Sequence, residues 1–165
     1  HWILTLAIAV IIALCVNRFV LVNAEIPSGS MENTIMTGDR VFGNRLAYIF
    51  GEPKRFDIII FRYPDDEKQL FIKRIIGLPG ETVEIHDGQI FIDGSKTPLK
   101  DVTTKEFMQG SFGPYTVPDN CYFVMGDNRN NSKDSRYWEH TFVTDDEIVG
   151  KAFLRYWPLN KIKFL

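Results

Sequence analysis

Ser30 and Lys73 are the two residues whose types and surroundings point most directly to chemistry. Ser30 lies in IPSGSM, residues 26–31, where the proline and the glycine predict a tight turn that presents the serine hydroxyl. Lys73 lies in LFIKRII, residues 70–76, an otherwise apolar run. A serine hydroxyl activated by a neutral lysine amine is a nucleophile for acyl transfer. Taken alone, each residue also fits an ordinary loop tip or a water-facing lysine on an edge strand.

The lysine can act as a base only if its amine loses its proton near neutral pH. At a reference pKa of about 10.4, fewer than about one lysine in a thousand is neutral at pH 7. Burial lowers the pKa of a lysine because it disfavours the charged form. Side chains alternate along a strand, so Lys73 and Arg74 point to opposite faces and only one of them needs to be buried. We therefore expect a buried Lys73 with a lowered pKa.

The same turn offers groups that could stabilise a negatively charged oxygen during acyl transfer. Backbone N–H groups in a tight turn, including that of Ser30, are free to donate hydrogen bonds to such an oxygen. The hydroxyl of Ser28 is a second candidate donor.

A second polar segment, GDNRNNSKDSRYW over residues 126–138, is dense in hydrogen-bonding side chains. Carboxylates and guanidinium groups alternate closely there, which predicts a loop held by internal ion pairs. A solvated surface loop is the simpler reading of the same pattern. The charged residues concerned are Asp127, Arg129, Asp134 and Arg136.

Composition excludes several classes of function. The 165 residues carry a net charge of −2, so no basic surface indicates nucleic acid as a partner. The histidines and cysteines show no zinc-ligand spacing, so we expect no metal site, and no organic cofactor is indicated. Cys15 lies in an apolar run and Cys121 in a polar part of the chain, so we expect no disulfide between them.

The N-terminal segment predicts a membrane anchor. Residues 2–16 are almost uninterrupted apolar sequence, and as a helix they span about 22 Å, short of a bilayer core of about 30 Å. The apolar residues 19–22 extend the run, so we place the anchor at residues 1–22. A buried core helix and the core of a signal peptide remain alternatives. The chain begins with His1 rather than Met, so we expect the anchor to be truncated.

The rest of the chain predicts a mainly β domain with antiparallel pairing, over residues 23–165. Asp87-Gly88 lies between two alternating segments and predicts a hairpin. Residues 95–118 are rich in glycine and proline and predict a loop-rich excursion, with a possible short helix over 103–109. Strands are predicted within 41–42, 57–61, 70–76, 82–86, 89–92, 122–125, 148–157 and 161–165.

Four blocks of this sequence, taken in order, resemble the type I (leader) signal peptidases of bacteria. The blocks are IPSGSMENTIMTGDRV, FDIIIF, FIKRIIGLPGE and GDNRNNSKDSRYW, and the last two together are highly specific. With the apolar anchor, the resemblance covers nearly the whole chain. It implies a single-pass protein of the cell membrane with a β-rich catalytic fold like that of the LexA-type self-cleaving repressors. It also implies an extracytoplasmic active site and cleavage after small residues in an Ala-x-Ala pattern.

The resemblance also implies roles for individual residues. Ser30 matches the nucleophile, Lys73 the general base and Ser28 the oxyanion-hole hydroxyl. Ser132 matches the serine that hydrogen-bonds and orients the lysine. The residues that match the polar groups bracing the site are Asp127, Arg129, Asp134 and Arg136.

Three positions depart from the family pattern. Asn33 stands where a proline is usual, Phe56 where a glycine is usual, and Glu139-His140 where a glycine and a hydrophobic residue are usual. None of them is a catalytic position, so we expect changes in local loop geometry and in substrate fit near Asn33. A catalytic triad of Ser30, His140 and Asp134 is an alternative arrangement, in which His140 rather than Lys73 is the base.

The expected function is that of a membrane-bound serine endopeptidase whose partners are the signal peptides of exported preproteins and the lipid bilayer. An extended substrate is expected to add as a strand beside residues 26–27 or 71–72. Candidate substrate-binding residues are Ile26, Pro27, Met31, Ile35 and Ile72. Two alternatives remain, a self-cleaving regulator with the same pair and a non-catalytic, membrane-tethered module that binds peptides.

Overall fold

A computed structural model of the chain describes residues 1–101, 103–104 and 106–165. The chain starts with helix α1, Trp2–Cys15, which continues as a π-helical turn over Val16–Val20. The strands are β1 Leu21–Glu25, β2 Arg40–Asn44, β3 Ile58–Tyr63, β4 Asp66–Gly77, β5 Thr82–His86, β6 Gln89–Ile92, β7 Phe112–Thr116, β8 Cys121–Met125, β9 Val143–Thr144, β10 Ile148–Trp157 and β11 Lys163–Phe164. Short 3₁₀ helices cover Gly29–Met31, Arg129–Asn131, Asp145–Glu147 and Leu159–Lys161.

The described strands form two sheets, and every pairing in them is antiparallel. The larger sheet has eight strands in the order β1-β2-β10-β3-β4-β8-β9, with β11 paired to β10. The smaller sheet has the order β6-β5-β7. This architecture confirms the predicted mainly β fold that follows an apolar N-terminal helix.

The predicted hairpin at Asp87-Gly88 is present. His86 pairs with Gln89, and both turn residues have positive φ angles, 47° and 77°, as a two-residue turn with right-handed twist requires. In the loop-rich excursion, β7 pairs with β5 and extends the smaller sheet. The possible helix over 103–109 includes residue 105, which lies outside the described residues.

The core divides into three clusters, which pack around the turn that carries Ser30 and the strand that carries Lys73. The first lies under the turn after β1, and the second is rich in aromatic rings. The third fills the space between the two sheets. Their largest members are Ile26, Met31, Ile35 and Ile60 in the first, Phe61, Tyr63 and Trp138 in the second, and Ile76, Phe123 and Met125 in the third.

Helix α1 is exposed along its whole length. Trp2–Val20 is the one described helix that is long and apolar enough to cross a membrane, and none of it is buried. This exposure contradicts the alternative of a buried core helix. Strand β1 begins at Leu21, directly after the helix, so the sheet starts where the apolar segment ends.

Candidate active site

Ser30 lies on a single 3₁₀ turn that follows the first strand. The chain leaves β1, passes through Ile26 and Pro27, and turns at Gly29–Met31. Ser30 is buried, and its hydroxyl accepts a hydrogen bond from Ser28 over 3.4 Å. The turn therefore places two hydroxyl groups side by side at one point of the molecule.

Lys73 reaches the same point from the middle of β4. Its Nζ atom lies 2.7 Å from Ser30 Oγ and donates a second, longer hydrogen bond to the carbonyl of Ile72 at 3.2 Å. Only 3 % of Lys73 is exposed. Burial lowers the pKa of Lys73 from an ordinary 10.5 to about 8, against the opposing charges of Asp134 and Asp127. About one such lysine in ten is then neutral at pH 7.

Arg74, the next residue, is also buried, although strand alternation required burial of only one of the two cations. Its guanidinium donates to both carboxylate oxygens of Asp127, over 2.7 and 2.6 Å. A third bond goes to the carbonyl of Phe56 at 2.7 Å. This paired geometry satisfies the buried charge, and Asp127 in turn accepts a 2.5 Å bond from Thr34.

The predicted ion pairs of the polar loop are only partly internal. Asp134 and Arg136 form a buried bidentate pair with N–O distances of 2.8 and 2.9 Å. Arg129 instead pairs with Asp101, outside the loop, at 2.5 Å. All four residues predicted to brace the site are buried, so the solvated-loop reading is wrong for them. The loop is built around charges that neutralise one another next to Ser30.

Asn128 is a contact of the serine turn that sequence reasoning missed. Its backbone N–H donates to the carbonyl of Ser30, and its side-chain amide donates to the carbonyl of Gly29, both over 3.0 Å. Gly126 lies nearby, and a Cβ atom there would collide with the Ser30 carbonyl and the Ser132 hydroxyl. No local pattern distinguishes Asn128 from the neighbouring asparagines, because its two bonds join residues far apart in the sequence.

Ser132 is placed beside this contact but does not bond to the lysine. Its hydroxyl is buried and has no hydrogen-bond partner within the described residues. The two bonds of the Lys73 amine go to Ser30 and Ile72 instead. The bond between Ser132 and Lys73 that the resemblance implies is therefore not formed in this structure.

An open groove of about 460 Å³ runs past the serine and the lysine. Ile26, Pro27 and Ile72 line it, as predicted. Met31 and Ile35 do not: Met31, at the end of the 3₁₀ turn, and Ile35, four residues later, are both completely buried in the first core cluster. The remaining lining residues are Asn23, Ala24, Glu25, Ser28, Gly29, Ser30, Ile60, Leu70, Phe71, Lys73, Asn131 and Lys133.

The rival triad does not assemble. His140 is 69 % exposed in its side chain, and its Nδ1 atom lies 2.9 Å from Asp65. Asp134 is engaged by Arg136 and by the backbone N–H of Gly126. Among the described residues, no group of three or more histidine, cysteine or acidic side chains is placed to hold a metal ion.

Two of the departures from the family pattern have left-handed backbone conformations. Phe56 has φ of 71°, which a glycine adopts without strain and a phenylalanine does not. Asn33 has φ of 90°, which the ring of a proline cannot reach. The turn after the serine therefore differs here from one built on a proline.

Comparisons with known proteins identify the family of this chain. The family described as signal peptidase, peptidase S26, matches residues 1–157. A probable signal peptidase I-2 of Synechocystis is 38 % identical over 98 % of this chain and 74 % of its own length. Signal peptidase I S of Bacillus subtilis is 37 % identical over 99 % of this chain and 91 % of its own length.

A solved structure shows the same fold. The crystal structure of a signal peptidase I from Enterococcus faecalis superposes with a TM-score of 0.52 at 37 % identity. The match covers 61 % of this chain and 96 % of that one. These findings confirm the predicted resemblance and the assignment as a hydrolase. The chain belongs to the signal peptidase family, peptidase S26, and is a serine endopeptidase.

Proposed function

We propose that this chain removes signal peptides from exported preproteins, with Ser30 as the nucleophile and Lys73 as its general base. The observation that carries the proposal is the 2.7 Å distance between Lys73 Nζ and Ser30 Oγ, within an open groove. The lowered pKa of the lysine supports it, because a neutral amine at this distance can accept the hydroxyl proton.

In the first step, neutral Lys73 takes the proton of Ser30 while Oγ attacks the scissile carbonyl. The new C–O bond forms as the carbonyl electron pair moves onto oxygen. The backbone N–H of Ser30 and the hydroxyl of Ser28 are the proposed donors to that oxyanion. Ser28 lies 3.4 Å from Ser30 Oγ, so a small rotation of its hydroxyl aims it at an oxygen next to the attacked carbon.

In the second step, the C–N bond breaks and protonated Lys73 returns its proton to the leaving amine. The signal peptide then remains esterified to Ser30. Lys73, neutral again, takes a proton from water as water attacks the ester. Collapse of the second oxyanion breaks the C–O bond and the proton returns to Ser30, which restores the enzyme.

We propose that the substrate binds as an added strand along β4. Strand β8 pairs with β4 only from Arg74 onward, so the other edge of residues 70–73 has no described strand partner and lines the groove. An extended peptide there meets backbone donors and acceptors, with Ile26 and Pro27 opposite. The side chains of Ile26, Ile60 and Ile72 narrow the groove and favour small residues, as in an Ala-x-Ala pattern.

The apolar N-terminal helix is part of the same proposal. Trp2–Val20 is the proposed single-pass anchor, and the catalytic domain lies on the extracytoplasmic side, as the family resemblance implies. Asp127, Arg129, Asp134 and Arg136 brace the loop that contacts the serine turn. Ser132 orients the lysine once the amine rotates toward it.

Cleavage of a preprotein by the chain in lipid vesicles tests the proposal. A preprotein with an Ala-x-Ala site is incubated with the wild type and with Ser30→Ala, and the new N-terminus is identified by mass spectrometry. We expect one cut after the second alanine with the wild type and none with the variant. Replacing either alanine by Phe or Lys should abolish that cut.

Other outcomes have clear meanings. Cleavage of the chain itself with an intact preprotein would favour a self-cleaving regulator. Binding of the preprotein without any cut would favour a non-catalytic peptide-binding module. Unchanged cleavage of the Phe and Lys substrates would contradict the narrow groove.

A further inference from the structure

A short loop beside the N-terminal helix carries an unusually exposed apolar pair. Residues 45–53, called here the anchor-side loop, follow β2. At its tip, Ile49 is 66 % exposed and Phe50 is 89 % exposed. Outside Trp2–Val20, Phe50 is the most exposed large apolar side chain among the described residues. Adjacent exposed apolar groups of this size mark a contact surface.

The first residue of the anchor-side loop, Arg45, lies next to the end of the proposed anchor in space. The backbone N–H of Arg45 donates to the carbonyl of Val20 over 2.8 Å. The Nε atom of Arg45 donates to the carbonyl of Leu21 over 3.0 Å. Ile49 follows soon after in the chain, so its backbone lies within about 15 Å of Arg45 even at full extension. The tip therefore remains near the end of the apolar helix.

Hydrogen bonds fix the shape of the anchor-side loop. Tyr48 donates its hydroxyl to Asp57 over 2.9 Å, and the backbone N–H of Lys54 donates to the same carboxylate over 3.0 Å. Lys151 adds an ion pair to Asp57 at 2.7 Å. The side chain of Asp57 thus joins Tyr48, just before the tip, and Lys54, just after the loop, to Lys151 of β10. These bonds hold the chain on both sides of the tip, where Ile49 and Phe50 are exposed.

We propose that Ile49 and Phe50 insert into the interfacial layer of the bilayer that holds Trp2–Val20, as a second membrane contact of the catalytic domain. A helix of 19 residues is about 28 Å long, close to the hydrocarbon thickness, so Val20 lies at the interface. An aromatic ring and an aliphatic side chain both gain by leaving water at that depth.

Charge at the junction favours the bilayer over other partners. Arg18 lies in the last turn of the anchor, and Arg45 is bonded to the residues that follow it. Both cations are placed to meet the phosphate groups of lipid headgroups at that interface. With one contact at the anchor and one at the loop tip, the domain cannot rotate freely about the helix, and the groove keeps one tilt to the membrane.

The test measures the depth of Phe50 in the full chain. Cys15 and Cys121, the two natural cysteines, are replaced by serine, and a spin label is attached to Phe50→Cys or to the control Phe107→Cys. Phe107 is 71 % exposed but lies in the excursion, bonded through its carbonyl to Asn130. Each protein is placed in nanodiscs that hold one copy. Collisions with oxygen and with a water-soluble nickel complex report the depth of each label.

We expect the Phe50 label to favour oxygen, as a label in the bilayer does, and the Phe107 label to favour nickel. Equal nickel exposure at both positions would overturn the proposal. So would protection of Phe50 that appears only in discs with two copies, because a second copy would then cover the tip. The proposal rests on the proposed membrane anchor, whose failure is distinguishable because the chain would then not enter the discs.

A functional readout completes the test. We expect the double variant Ile49→Ser, Phe50→Ser to cleave a soluble peptide at the wild-type rate. It should cleave a bilayer-inserted preprotein about tenfold more slowly, since its domain loses the fixed tilt. Phe107→Ser should match the wild type in both assays. An equal rate of preprotein cleavage by the double variant would contradict the role of the loop.

Discussion

Lys73 Nζ lies 2.7 Å from Ser30 Oγ, although 43 residues separate them in the sequence. The lysine has no ion pair among the described residues. The two carboxylates whose charges oppose the lowering of its pKa are each taken by an arginine, Asp127 by Arg74 and Asp134 by Arg136. The arginines thus leave the ammonium without a counterion, and desolvation determines its pKa.

The proposed pair of Ser30 and Lys73 predicts which variants are inactive. Ser30→Ala removes the attacking oxygen and Lys73→Ala removes the base, so each should lower kcat for a preprotein by more than about a thousandfold. His140→Ala should cleave nearly as well as the wild type, since its ring contacts Asp65 on the surface. Circular dichroism checks that all three are folded. An inactive His140→Ala variant would contradict the assignment of Lys73 as the general base.

The pH dependence of kcat/KM should report the lysine. Only neutral Lys73 can take the serine proton, so kcat/KM should rise tenfold per pH unit below the folded pKa and level off above it. That pKa is about 8, so the bend should fall near pH 8. A bend near pH 6.5, where histidine titrates, would indicate a different base.

Lys73→Met should be inactive but more stable at neutral pH. Below pH 8 the lysine is protonated in the folded and unfolded states, and burial of that charge lowers the free energy of unfolding. The shift from 10.5 to about 8 corresponds to ~3 kcal/mol, which the methionine recovers. Between pH 8 and 10.5 only the folded wild type loses its proton, so its free energy of unfolding rises and the advantage should vanish.

Urea unfolding of the two proteins at pH 7 and pH 10.5 measures this difference. Ser30→Ala serves as the control, because it removes the same hydrogen bond and leaves the buried charge. A Lys73→Met variant less stable than the wild type at pH 7 would show that the amine is stabilised by its surroundings.

Ser28→Ala should slow turnover without abolishing it. Loss of one oxyanion donor typically costs about 100- to 1000-fold in kcat. KM should change little, because this bond strengthens only as charge develops on the oxygen. Ser28→Thr keeps a hydroxyl at the same position and is the matched control. Full kcat in Ser28→Ala would mean that the hydroxyl only shapes the turn.

Phe56 allows a test of backbone strain. In most turns and strands, glycine is less stable than alanine, but at φ of 71° the order should invert. Phe56→Gly and Phe56→Ala both lose the ring, so their difference isolates the backbone. We expect the glycine variant to be more stable by about 1 kcal/mol in thermal unfolding. An alanine variant of equal or greater stability would contradict a strained Phe56.

Local patterns were sufficient for most of the strands, for the hairpin and for the position of the buried lysine, but they missed β1, β7 and β9. An apolar run that contains one lysine indicates a buried lysine on a strand, and an Asp-Gly pair between alternating segments indicates a hairpin. Each pattern is complete within a few residues. Side-chain direction on the serine turn was less predictable. Met31 and Ile35 were predicted to line the groove, yet the single 3₁₀ turn points Met31 into the core, and Ile35, four residues later, is buried in the same cluster. Periodicity cannot show this, because the turn is shorter than one period.

Partners across the fold could not be predicted from the sequence. Burial of Arg74 depends on Asp127, 53 residues away, and the bonds of Asn128 depend on the turn after β1. The sequence around Arg74 does not indicate a contact with Asp127, and the sequence around Asn128 does not indicate a contact with the turn after β1. Long-range pairing of this kind decides which of several similar polar residues is buried, and only the folded arrangement of β4 and the polar loop reveals it.

For the proposed membrane-anchored enzyme, the direct junction between Val20 and β1 limits which peptide bonds the active site can reach. Ser30 follows the helix by about ten residues, so it lies no more than about 35 Å from the point where the chain leaves the bilayer. Ala-x-Ala sequences are common in proteins that are not substrates. The short distance between Ser30 and the bilayer excludes from cleavage every such sequence that stays farther from the membrane. In this proposal, the distance of a sequence from the lipid surface adds selectivity that the two small residues of the Ala-x-Ala pattern cannot provide.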